Sequence, residues 1–182
     1  MYVLNIINVE ILDDDNSFVL KESTVKYNCD GSFNRLQIID DSFNNLNYKS
    51  INKETMKNIT KDKGKVYKIS ETNNSIFIDK KTSKEYSFSK YSRKLNPNYK
   101  RVKGILSKYL KEVINNSSNR KYVNYKKEKH LKDAKYGFYK YKITFSIIND
   151  SNEDIYEGIV LIRNDANTKK YLYDILDIKK IN

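Results

Sequence analysis

The first part of the chain alternates apolar and polar residues in short runs separated by turn-forming residues. Three such runs, YVLNIINVEIL, SFVLKESTVKYN and FNRLQIIDDSF, are rich in β-branched and aromatic residues. Between them lie DDDNS and NCDGS, whose Asp, Asn, Gly and Ser residues favour turns. The pattern predicts a small antiparallel β meander.

A helical spacing of apolar residues replaces this alternation further along the chain. Asn96 is a favourable N-cap and Pro97 suits the first helical position. The apolar residues that follow recur every three or four positions: Val102, Ile105, Leu106, Tyr109, Leu110, Val113 and Ile114. This spacing predicts a helix over residues 97–115 that buries one side and leaves its lysines in solvent.

Shorter elements are expected between the meander and this helix. A helix capped by Ser50 or Asn52 should end near Gly64. The segments VYKIS and SIFID predict a pair of strands across the turn ETNN, and KEYSFSKYS is interpreted as a further strand.

Three strands are predicted at the C-terminal end, over Tyr136–Ile148, Tyr156–Arg163 and Lys170–Lys179. The first places Tyr139, Tyr141, Ile143, Phe145 and Ile147 on one side and Phe138, Lys140, Lys142, Thr144 and Ser146 on the other. One apolar and one mostly polar side are typical of an antiparallel strand with one solvated face.

Together these elements predict an α+β fold in two parts. Residues 1–48 form an acidic, β-rich N-terminal segment with the antiparallel meander. Residues 51–182 form a basic α+β domain in which two helices pack on an antiparallel sheet of about four strands.

Positive charge is concentrated in one segment of the chain. The formal net charge is +12, yet residues 1–50 carry 4 Lys or Arg against 8 Asp or Glu. Residues 80–142 carry 20 Lys or Arg against 4 Asp or Glu. Clustered cations attract phosphate backbones through counterion release, so nucleic acid is the expected partner. An anionic membrane competes for this role, but no amphipathic helix with exposed Trp, Phe or Leu supports it.

The cysteine content and the first residues indicate the compartment. Cys29 is the single cysteine, so an intrachain disulfide is excluded. The stretch MYVLNIINVEILDDD lacks the basic start and the small-residue cleavage site of a signal peptide. No apolar run approaches the ~20 residues that cross a bilayer. We therefore expect the protein in the cytoplasm of a bacterial host cell, without a membrane partner.

Four segments resemble the nuclease-like domains that phages and mobile elements carry in the barnase–EndoU–colicin–RelE superfamily. They are KEYSFSKYSRKLNPNYKRVKGILSKYLKEVINNSSN, KEKHLKDAKYGFYKYKITFSI, YEGIVLIRND and KKYLYDILDIKK, within residues 51–182. The resemblance implies helices on one face of a four-stranded antiparallel sheet and metal-independent cleavage of RNA on the other face. Members with two catalytic histidines differ from this chain, which has one.

Metal-free RNA cleavage needs a base for the 2′-hydroxyl proton, an acid for the departing 5′-oxygen and cations for the phosphate. His130, the single histidine, suits the acid or base role because imidazole titrates near neutral pH. Lys129 beside it and Arg163 at a strand end are expected to bind the phosphate. Thr144 is a further candidate for a hydrogen bond in the site.

The residues expected to bind nucleic acid are Lys100, Arg101, Lys103, Lys126, Lys127, Lys140, Lys142 and Tyr173. The lysines and the arginine would contact the backbone, and the tyrosine would stack on an unpaired base. No metal or cofactor is expected, because one Cys and one His are too few for a zinc site and KDKGK lacks the glycine spacing of a phosphate loop.

The leading hypothesis is a toxin-like, metal-independent endoribonuclease of phage or mobile-element origin, with RNA as substrate and a cognate inhibitor protein as a further partner. The alternative is a non-catalytic nucleic-acid-binding phage accessory or inhibitor protein. A third hypothesis is a structural phage protein that contacts packaged DNA. For single residues, a plain surface position competes with catalysis at His130, and a core position competes with base stacking at Tyr139 and Tyr141.

Overall fold

The computed structural model describes residues 4–9, 20–31, 33–124, 134–149, 152–165 and 168–182. The strands of these residues are β1 (Leu4–Val9), β2 (Leu20–Tyr27), β3 (Phe33–Ile39), β4 (Val66–Ile69), β5 (Asn74–Phe77), β6 (Ser118–Val123), β7 (Phe138–Asn149), β8 (Asn152–Asn164) and β9 (Lys170–Lys180). The helices are α1 (Tyr48–Lys61), α2 (Lys80–Phe88), α3 (Lys90–Lys94), α4 (Pro97–Leu106) and α5 (Leu110–Asn115). The predicted α+β class is confirmed.

The described strands form one mixed sheet that is larger than predicted. Its order is β1-β2-β3-β7-β8-β9-β5-β4, with β6 paired to β7 beside this path. The antiparallel meander β7–β8–β9 and the pair β4–β5 are confirmed. The prediction of about four antiparallel strands is wrong, because β3 joins β7 and β5 joins β9 in parallel. These additions satisfy backbone groups that the meander alone would leave open at its edges.

The N-terminal strands continue the same sheet. The predicted meander is confirmed as the antiparallel ladders β1–β2 and β2–β3. Arg35 on β3 donates to both carboxylate oxygens of Glu153 on β8, at 2.9 and 3.1 Å, and Gln37 adds a bond at 3.0 Å. A boundary between residues 48 and 51 stays a prediction.

Local capping residues set the helix starts. Asn47, rather than Ser50 or Asn52, caps α1. Asn96 caps α4 and Pro97 is its first residue, as predicted. The stretch predicted as the strand KEYSFSKYS is instead helical, because Asp79 and Thr82 form a capping box that starts α2. The single helix predicted over 97–115 is interrupted between α4 and α5.

The main core lies between the helices and one face of the sheet. Tyr141, Ile143, Phe145 and Ile147 enter it from β7, while Ile59, Leu106 and Val113 enter it from α1, α4 and α5. The predicted alternation of β7 is therefore confirmed, and Tyr141 is a core residue with its hydroxyl accepting from Asn74 Nδ2 at 3.1 Å. In the described part of the chain, no helix is both long enough and apolar enough to cross a membrane.

Candidate nucleic-acid interface

Strand β7 places three of the predicted site residues on the sheet face opposite the helices. Because side chains alternate along β7, Lys140, Lys142 and Thr144 lie on the side opposite to Tyr141 and Ile143, which pack under the helices. Lys142 is exposed, whereas Lys140 and Thr144 are half-buried. We call this side of the sheet the open face.

Strand β6 adds a further lysine to the open face. Lys121 pairs directly with Lys140 in the antiparallel β6–β7 ladder. Directly paired residues have Cβ atoms ~5 Å apart, and like charges placed so destabilise a sheet. An anion bound between them would relieve this repulsion. We call Lys121, Lys140 and Lys142 the basic strip.

A small apolar cluster adjoins the basic strip. It comprises Ala134, Phe138, Leu161, Tyr173 and Leu176. Phe138 and Tyr173 meet edge to face with ring centroids 5.3 Å apart. Leu161 pairs with Lys140, so the cluster and the basic strip are contiguous. Tyr173 is half-buried.

A carboxylate also lies on this face close to the basic strip. Glu157 on β8 pairs with Thr144 and forms an ion pair with Lys179 on β9 at 3.1 Å. Both side chains of this ion pair are more than a third exposed, so the pair contributes little to stability. It does neutralise the carboxylate near the basic strip.

The guanidinium of Arg163 is buried and already bound to carboxylates. Its Nη2 donates to Asp79 Oδ2 at 2.7 Å and lies 3.7 Å from Asp165, and the side chain is 3% exposed. The ring of Tyr171 lies 4.7 Å from the guanidinium. The expectation that Arg163 presents an open fork to a phosphate is therefore corrected. Arg163 instead ties the end of β8 to the N-cap of α2.

Lys103 is likewise removed from the surface. Its Nζ donates to the carboxylate of Asp174 on β9 and, at 2.5 Å, to Ser92 Oγ. Ser89 Oγ donates to Asp174 at 2.7 Å, and the backbone N of Ile175 does so at 2.8 Å. Burial lowers the pKa of Lys103 and raises that of Asp174, because desolvation penalises both charges. The helix was expected to leave this lysine in solvent, but the pairing with Asp174 draws it into the core.

The other two cations predicted on this helix occupy different settings. Lys100 is buried with its Nζ 3.4 Å from the ring centroid of Tyr48, so the expectation of a solvated side chain is corrected here too. Arg101 is partly exposed and lines a cavity of about 160 Å³ together with Asn149 and Asp154. Neither side chain lies on the open face, since α4 packs on the opposite side of the sheet.

Four predicted site residues lie outside the described residues: Lys126, Lys127, Lys129 and His130. On the described side before them, Val123 pairs with Phe138, which in turn pairs with Arg163. On the side after them, Tyr136 N donates to Asn164 O at 3.2 Å. The described flanks of this stretch therefore meet at the end of β8, beside the apolar cluster.

Sequence reasoning missed Lys121 and the Lys103–Asp174 pair. Strand β6 has few apolar residues and follows a helix directly, so no alternation marked it. The register of β6 against β7 is what brings Lys121 to Lys140. Lys103 and Asp174 are 71 positions apart, so no local spacing signals their pairing.

Comparison of the chain with protein-family models, curated proteins and solved structures found no match. Among the described residues, no group of three or more His, Cys, Asp or Glu side chains is placed to hold a metal ion.

Proposed function

We propose that the protein binds single-stranded nucleic acid, RNA in particular, on the open face of its sheet. The observation that carries the proposal is the basic strip beside a partly accessible aromatic ring. Lys121, Lys140 and Lys142 supply three cations on two neighbouring strands. The ring of Tyr173 contacts Phe138, which is on the same strand as Lys140 and Lys142. Cations for the backbone and a ring for a base are the two elements of single-strand recognition.

The charge arrangement supports this choice of ligand. Lys121 and Lys140 face each other without a carboxylate between them in the β6–β7 ladder, so the folded protein holds an electrostatic cost that a phosphate would relieve. The open face of a sheet also offers side chains on which unstacked bases can lie, a mode of recognition that suits single strands better than a duplex.

The test measures RNA affinity as a function of salt. A fluorescein-labelled single-stranded RNA oligonucleotide is titrated with wild type and with K121Q/K140Q/K142Q, and anisotropy is recorded at several NaCl concentrations. Each lost phosphate contact lowers the slope of log K against log salt by about 0.7 for a single strand, so the triple variant should lose about 2 in slope. Y173A should weaken binding by roughly 1–3 kcal/mol with an unchanged slope.

A matched control removes the same charge elsewhere. Lys49, Lys63 and Lys90 are exposed and lie on or near the helices α1 and α3. K49Q/K63Q/K90Q has the same net charge as the test variant and should keep most of the affinity. Equal weakening by both triple variants would mean that net charge, rather than the open face, determines binding.

Cleavage of the bound RNA is the second candidate, favoured by where the described residues on either side of the stretch that holds His130 lie. The described flanks of that stretch meet at the end of β8, beside the apolar cluster. In this reaction the 2′-oxygen attacks the phosphorus, its proton passes to a base, and the 5′-oxygen leaves with a proton from an acid. His130 would serve as one of these groups, Lys129 would stabilise the phosphate, and Thr144 stays a candidate hydrogen-bond donor.

Variants of His130 separate cleavage from binding. Purified protein is incubated with total RNA in EDTA, and products are resolved by gel and checked for 2′,3′-cyclic phosphate ends. An endoribonuclease should lose at least about a hundredfold in rate in H130A while its RNA affinity stays the same. Absence of wild-type cleavage would leave binding as the function. Membership of the nuclease superfamily stays a prediction, as does a cognate inhibitor.

A further inference from the structure

A second feature, on the helical side of the molecule, points to a protein partner. Met56 on α1 is 43% exposed and Phe88 at the end of α2 is 45% exposed. Each is large and apolar, and each lies on the solvent side of a helix whose other side packs in the core. The helices themselves contact one another, so the two residues line one concave surface.

This surface is a groove with two adjoining parts. One part has a volume of about 500 Å³ and is lined by Met56, Lys80, Lys81, Ser83, Lys84 and Phe88. The other has a volume of about 420 Å³ and is lined by Lys53, Met56, Lys57, Thr60 and Lys61. Met56 lines both parts, so they adjoin at this residue. We call this surface the α1/α2 groove.

The rim of the α1/α2 groove is strongly basic. The two helices carry seven lysines against two glutamates, and Glu54 is paired with Lys57 at 3.0 Å. Six of the seven lysines line the groove. An apolar floor with a cationic rim is complementary to a ligand that has an apolar stripe flanked by carboxylates.

We propose that the α1/α2 groove binds an acidic amphipathic helix of a partner protein. A groove between two helices is the surface into which such a helix lays its apolar side, with residues at i, i+3 or i+4 and i+7 as anchors. Its carboxylates would then meet the lysines of the rim. An anionic membrane is the competing ligand, and vesicle binding is one of the outcomes of the test below. This site goes beyond the proposed function, since it lies on the helical side and not on the open face.

The probe is a fluorescein-labelled peptide of about 18 residues with leucines at helical i, i+4 and i+7 spacing and glutamates elsewhere. A scrambled peptide of the same composition is the first control. The full-length protein should bind the amphipathic peptide at least about tenfold more tightly than the scrambled one. Equal affinity for both peptides would overturn the proposal, because charge alone would then explain binding.

Variants locate the site. M56E/F88E should abolish the preference for the amphipathic peptide, whereas V66E/I181E should keep it, since Val66 and Ile181 are equally exposed apolar residues outside the groove. K53E/K84E changes two exposed lysines of the rim and should lower the affinity for the amphipathic peptide at least about tenfold. Thermal melts establish that each variant folds, and K53E/K84E provides a test if M56E/F88E does not.

Two competition experiments test whether the groove binds lipid or nucleic acid instead. Phosphatidylserine–phosphatidylcholine vesicles and single-stranded RNA are offered as competitors of the bound peptide. RNA should not displace the peptide, and K121Q/K140Q/K142Q should bind it as wild type does. Displacement of the peptide by RNA would overturn the proposal in favour of nucleic acid. If M56E/F88E lost vesicle binding but kept the preference for the amphipathic peptide, the proposal would be overturned in favour of lipid. Failure of RNA binding on the open face would leave this outcome unaffected.

Discussion

Breaking the buried pair between Lys103 and Asp174 should destabilise the fold strongly. The two side chains are 3% and 1% exposed, and they join α4 to the central part of β9. Asn at position 174 would keep the shape of the side chain but remove its charge. The ammonium of Lys103 would then retain Ser92 and the nearby ring of Tyr86, 4.6 Å from its centroid, as its partners.

The expected loss in the free energy of unfolding follows from the counter-charge that the remaining buried group loses. Removing one partner of a buried ion pair costs about 3–5 kcal/mol, because the remaining charge stays out of water without a counter-charge. Burial already lowers the pKa of Lys103, so in D174N the amine can release its proton. This release limits the loss, and we expect about 3 kcal/mol for D174N. That is a large share of the roughly 5–15 kcal/mol typical of a folded domain.

The assay is urea unfolding at pH 7 followed by far-UV circular dichroism, for D174N, K103M and K103M/D174L. Each single variant should lose about 3 kcal/mol, and the double variant should lose much less than their sum, because it buries no charge. K179Q is the matched control, since it breaks the exposed Lys179–Glu157 pair and should cost less than about 1 kcal/mol. If D174N and K103M cost no more than K179Q, the reasoning on the buried pair is refuted.

Three further predictions concern single side chains. The hydrogen bonds from Arg35 lower the pKa of Glu153 to about 2, so its stabilisation is complete above its ordinary pKa of 4.5 and is lost as the pH falls through 2. After discounting for partial exposure, E153Q should cost on the order of 1–2 kcal/mol in urea unfolding at pH 7 and clearly less at pH 3; equal loss at both would contradict this. G104A places a Cβ 2.6 Å from the buried ring of Phe43 and should cost about 1–2 kcal/mol in the same assay, whereas a gain would show that the ring moves aside. Y141F removes the hydroxyl that accepts from Asn74 and should lower the free energy of unfolding by about 1 kcal/mol, so an unchanged midpoint would argue against this hydrogen bond.

The strand predictions that succeeded rest on local patterns. Tyr141, Ile143, Phe145 and Ile147 alternate with Lys140, Lys142 and Thr144, and a strand must send these two sets to opposite faces. Asn96 and Pro97 likewise mark a helix start through their own backbone preferences. The helix α2 was missed because its Tyr and Phe residues favour strands, although the capping box of Asp79 and Thr82 was readable in the sequence.

The sequence by itself therefore determined the α+β class, the faces of β7 and the concentration of positive charge, since periodicity and composition are properties of neighbouring residues. Only the tertiary structure decided which cations face solvent. Nothing in the sequence distinguishes Lys103 and Arg163 from Lys140 and Lys142. In the structure, however, the first two are buried because they form ion pairs with carboxylates of distant segments. The reason is that a charged side chain is buried most readily where folding places an opposite charge beside it. Spacing along the chain does not predict which distant residues will pair in this way.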